Sequence, residues 1–74
     1  MISVFKTNVL NEVELLKLKP SLNLPHVNWN IDLADSDKIL RIDSKENIND
    51  IIISLFKGLG FKCTILEVFH EPPI

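Results

Sequence analysis

The sequence predicts an α+β fold in which two helices cover one face of a four-stranded antiparallel sheet. Three observations carry that expectation. Residues 26–33 alternate strictly, with Val27, Trp29, Ile31 and Leu33 on one side and His26, Asn28, Asn30 and Asp32 on the other, as in a strand with one dry and one wet face. Two segments instead repeat at helical spacing, through Leu15, Leu18 and Leu22 and through Ile48, Ile51, Ile52, Leu55, Phe56 and Leu59. Short runs rich in β-branched and aromatic residues lie near both ends, at 2–7 and 61–66.

Taken in order, residues 2–7 form the opening strand. The first helix follows, and Pro20 removes a backbone donor and clashes with the carbonyl of residue 16, so regular helix is expected to end or kink near Lys19. The alternating strand 26–33, the polar turn 34–37 and a second alternating run at 38–42 read as a hairpin. Ser44 or Asn47 is placed to cap the second helix, and Gly58 or Gly60 suits the left-handed residue after its end. The last strand is expected at 61–66. Pro72 and Pro73 exclude a central strand near the end, so 68–74 reads as a tail on a domain of residues 1–67. The resulting order, β-α-β-β-α-β, packs as the ferredoxin-like sandwich, with strand order 4-1-3-2 and the second and fourth strands at the edges.

Composition narrows the function classes. The 74 residues are 46% hydrophobic and 24% charged, a globular composition with room for one small domain. One cysteine excludes an intrachain disulfide. A net charge of -2 opposes non-specific nucleic-acid binding, which requires a basic face. No apolar run approaches membrane-spanning length, and the opening residues lack the order of a signal peptide, so a cytoplasmic, membrane-free domain is expected.

Four segments carry a family likeness: Phe5-Lys6-Thr7-Asn8-Val9, Trp29-Asn30-Ile31-Asp32, Asp37-Lys38-Ile39-Leu40 and Gly60-Phe61-Lys62. Over residues 2–66 the chain resembles the heavy-metal-associated (HMA), copper-chaperone-like domains, above all short bacterial members with a Lys-Thr-Asn opening. The resemblance implies the same fold and, in many members, a Cys-x-x-Cys pair where the first loop enters the first helix. At that place the chain reads Asn11-Glu12-Val13-Glu14, with Asn11 and Glu14 at the two cysteine positions. Copper(I) selects soft thiolates, whereas amide and carboxylate oxygens are hard ligands. The spacing Asn-x-x-Glu is instead that of a capping box, with Glu12 and Glu14 at the positive end of the helix dipole. No metal site and no cofactor are therefore expected.

Other candidate sites also have ordinary structural explanations. Cys63 is in phase with Phe61 and Ile65 and reads as a small core-filling residue. His26 and His70 lack metal-ligand spacing. Asp32, Asp35 and Asp37 lack the glycine and glutamate of a calcium loop and read as a solvated turn. No catalytic constellation can be assembled, so an enzyme is not expected.

What remains is apolar surface. With Leu15, Leu18 and Leu22 assigned to the core, Leu10, Val13 and Leu16 are left beside the degenerate metal loop. They form a patch rimmed by Asn11, Glu12 and Glu14, or else Leu10 and Leu16 fold under Val68 and Phe69. The sequence thus predicts a protein-interaction or self-association module, binding another protein or a second copy. The alternative is a copper or zinc carrier with non-standard ligands. The edge segment Asn28-Trp29-Asn30 is a second candidate for pairing with a second copy.

Overall fold

In a computed structural model, residues 1–70 are described. The elements are β1 (Ile2–Thr7), α1 (Glu12–Leu22), β2 (Asn28–Asp32), β3 (Ile39–Asp43), α2 (Asn49–Gly58) and β4 (Cys63–Phe69). The four strands make one antiparallel sheet in the order β2-β3-β1-β4, which leaves β2 and β4 at the edges. Alternation sets its two faces. Ser3, Phe5 and Thr7 of β1 and Leu40 and Ile42 of β3 are buried, and Phe5 pairs with Leu40 and Ser3 with Ile42 across the central strands. Leu15, Leu18 and Leu22 of α1 and Ile52 and Phe56 of α2 join the same apolar cluster. Both helices therefore cover one face. The other face carries Lys6, Arg41 and the exposed Asn28, Asn30 and Asp32.

Pro20 does not stop α1, which runs on to Leu22. The acceptor that loses its partner to the missing N–H is the Leu16 carbonyl, and both Leu16 and Pro20 are exposed, so the interruption lies on the solvent side of the helix rather than in the core. The Asn23 N–H then donates to the Lys19 carbonyl at 3.1 Å and closes the last turn.

Helix α2 starts without a side-chain bond from its N-cap residue, Ile48. Asn47 accepts from the Asn49 N–H at 3.1 Å, whereas Ser44, the other candidate, donates to the Glu46 carbonyl. The far end is a complete Schellman motif. The Phe61 N–H donates to the Phe56 carbonyl at 2.8 Å and the Gly60 N–H to the Lys57 carbonyl at 3.1 Å, with Gly60 left-handed at φ 87°. The Phe56 and Phe61 rings meet edge-to-face at 6.5 Å, the apolar contact that accompanies this motif. Ile51 and Leu59, expected on the core face, are 56% and 45% exposed. Ile53 packs against the cluster instead, because Asn49, Ile52 and Phe56 set the buried arc and Ile53 lies closer to it than Ile51.

The last strand also differs from expectation. It spans Cys63–Phe69 rather than 61–66, and pairs Val68 with Ser3 and Phe69 with Ile2 across an irregularity at Val4 and Phe5. The β1 backbone needs partners as far as Ile2, so the strand extends into the segment expected as tail. Residues 71–74, the remainder of that expected tail, lie outside the described residues.

Candidate functional site

The segment from Leu10 to Leu16 holds the candidate residues, and its geometry follows from capping. Asn11 has extended backbone at the N-cap, and its side-chain oxygen accepts from the Glu14 N–H at 3.0 Å. The Glu14 carboxylate turns back and accepts from the Leu10 N–H at 2.8 Å. This is the reciprocal logic of a capping box, closed one residue further out than its usual form. It satisfies two backbone donors and places carboxylate charge at the positive end of the helix.

These bonds decide what the loop can hold. The Asn11 and Glu14 oxygens that stand at the cysteine positions of the resemblance are already acceptors to backbone N–H groups, and both are hard donors. The donor set does not fit a thiolate-seeking metal. Among the described residues, no group of three or more His, Cys, Asp or Glu side chains is placed to hold a metal ion.

The apolar members of the site face outward. Leu10, Val13 and Leu16 are 66%, 68% and 61% exposed, while Glu12 and Asn11 are exposed and Glu14 half-buried beside them. Val68 and Phe69 do not cover them, because β4 carries those two residues to the Ile2 end of β1, opposite the end that leads into this loop. Pro20 is an exposed residue of the same helix that sequence reasoning treats only as a helix breaker. Its position seven residues after Val13 is the signal that places it with the patch.

Elsewhere the side chains have local roles. Asp32 accepts from the Ala34 and Asp35 N–H groups and Asp35 from that of Asp37, so the acidic cluster is a set of Asx turns. Lys6 and Asp37 form an exposed ion pair at 3.4 Å. Cys63 is half-buried against the core, and burial pushes its thiol up to about 12, the setting of an inert cysteine. His26 and His70 are both exposed, but the fold brings them to the rim of one open cleft of about 570 Å³, together with Asn28, Asp43, Ser44 and Lys45. That convergence depends on strand pairing and has no sequence signal.

No helix among the described residues is long and apolar enough to cross a membrane. Comparison with protein-family models, curated proteins and solved structures finds no match to this chain.

Proposed function

We propose that the chain is a ferredoxin-like domain of HMA type that has lost its thiolate metal site and serves as a non-enzymatic protein-interaction module. The element order and the sheet order β2-β3-β1-β4 support the fold part of that reading. The substitution of Asn11 and Glu14 for the two cysteines, with both side chains engaged in capping, supports the loss of metal chemistry. The observation that carries the interaction role is the exposure of Leu10, just before the cap, and of Val13 and Leu16 in the first turns of α1. Three large aliphatic side chains held out in water at one place mark an interface more often than chance surface.

The test is the double substitution Val13→Asp with Leu16→Lys. Both positions are exposed, so the amide spectrum should keep its folded dispersion while association is lost. An unchanged oligomeric state together with unchanged recovery of bound protein would remove the patch from function. A parallel amide-resolved titration with Cu(I), Zn(II) and Co(II) under reducing conditions decides the carrier alternative. Saturable one-to-one shifts centred on Asn11 and Glu14 would establish it and overturn the present reading.

A further inference from the structure

Helix α1 is apolar on two opposite sides. Leu15, Leu18 and Leu22 are buried within about 60° of arc at 100° per residue. Val13, Leu16 and Pro20, all exposed, span a similar arc of about 60°, centred roughly 160° away. A helix with apolar stripes on both sides is characteristic of one that is covered on both sides. The charges say what covers the outer stripe. The acids of α1 are confined to its first turn, at Glu12 and Glu14, and the bases to its second half, at Lys17 and Lys19.

We propose that the outer face of α1 pairs antiparallel with α1 of a second copy of this chain, about a two-fold axis at Leu16. This rests on the interaction reading above and names its partner. The symmetry sets Leu16 against Leu16 and Val13 against Pro20 of the other copy. Along one flank Glu12 falls opposite Lys19, twice by symmetry, while Glu14 stays engaged with the Leu10 N–H. An antiparallel pair also opposes the two helix dipoles. The parallel alternative brings the Glu12 flank against the Lys17 flank of the other copy and loses the Glu12–Lys19 pairing, and it aligns the two dipoles, so the dipoles favour the antiparallel arrangement. An 11-residue helix is only about 16 Å long, which places the contact in the small, transient class below about 1,200 Å². The dimer is accordingly weak and concentration-dependent.

Sedimentation equilibrium of the full chain tests this directly. The apparent mass is expected to rise from 8.5 kDa towards twice that value between about 10 μM and 1 mM, the range of a small interface. Glu12→Lys alone and Lys19→Glu alone each turn two attractions into two repulsions and are expected to weaken the dimer about tenfold. An equimolar mixture of the two variants is expected to restore it, because the mixed pair sets two bases of one chain against two acids of the other. Isotope-filtered NOEs between Leu16 methyls in a half-labelled sample locate the axis. A wild-type chain that is monomeric at about 1 mM overturns the pairing. It leaves the interaction module standing, since that depends on Val13→Asp with Leu16→Lys and recovery of a different protein. A dimer indifferent to both charge reversals, or one that survives Leu16→Asp with the fold intact, uses another surface such as the β2 edge and also overturns it.

Discussion

Helix α2 turns Ile52 and Phe56 into the core and presents Asp50, Ser54 and Lys57 to water. Helix α1, one residue longer, buries Leu15, Leu18 and Leu22 but presents Val13, Leu16 and Pro20. The sheet asks the same of both helices, which is an apolar stripe facing Phe5, Leu40 and Ile42. Helix α2 meets the demand with one stripe plus a single exposed isoleucine, Ile51. The outer stripe of α1 therefore exceeds what folding requires. Surplus apolar surface exposes hydrocarbon to water without stabilising the native state, and it is concentrated on one of the two helices.

The largest expected effect tests that surplus within α1 itself. Leu18 is fully buried and Leu16 is 61% exposed, two positions apart. Leu18→Ala is expected to cost about 2–5 kcal/mol in urea denaturation, through lost transfer energy and a cavity. In a 74-residue domain that is a large share of the total stability. Leu16→Ala should stay within about 0.5 kcal/mol of wild type at concentrations where the chain is monomeric. A cost for Leu16→Ala approaching that of Leu18→Ala would make the outer stripe structural and erase the distinction.

The helix ends give the next largest effects, and they differ in kind. Helix α1 is held at its start by side chains, so Asn11→Ala is expected to cost about 1 kcal/mol through the lost bond to the Glu14 N–H. Helix α2 is held at its finish by backbone, with Gly60 at φ 87°. Space for a methyl group is open there, so Gly60→Ala reports conformational strain alone, about 1–2 kcal/mol. Thermal midpoints of the two variants should fall by similar amounts.

The parts legible in the sequence are those set by short-range periodicity. Alternation in 26–33 locates β2, and the leucine spacing locates the buried face of α1. Gly60 is one of two glycines placed to end α2, and its left-handed backbone with the Schellman bonds from Gly60 and Phe61 distinguishes it from Gly58. The failures share a cause, which is dependence on partners distant in the chain. Pro20 reads as the end of α1 when the lost bond is counted without regard to its direction, and it faces water. Strand β4 reads too short because Pro72 and Pro73 are visible in the sequence, while the need of Ile2 and Ser3 for partners is not. At the candidate site, the leucine spacing leaves Leu10, Val13 and Leu16 off the core stripe, but their exposure is decided by β4, which carries Val68 and Phe69 to the far end of β1. The role of Pro20 in extending that surface is not legible, because its backbone chemistry masks its apolar ring. The meeting of His26 and His70 at one cleft is a property of the sheet order and cannot be read from spacing.

The smallest expected effect reports how closely α2 sits on the sheet. Cys63 shares an open cleft with Ile53 and Lys57 of α2 and with Phe61, and burial lifts its thiol from 9.0 to about 12. Below about pH 9 the thiol is protonated whether the chain is folded or unfolded, so it contributes no pH dependence there. Between about 9 and 12 the unfolded chain releases the proton that the folded chain retains. The unfolded state then binds fewer protons and stability falls as pH rises. Urea midpoints at pH 7 and about pH 10 should therefore drop further for wild type than for Cys63→Ala, with the lysines common to both cancelling in the comparison. Equal drops would mean that the thiol ionises freely and that α2 does not shield this end of β4 from water. A difference shows that the packing of α2 and Phe61 beside Cys63 shields the thiol from water despite the open cleft.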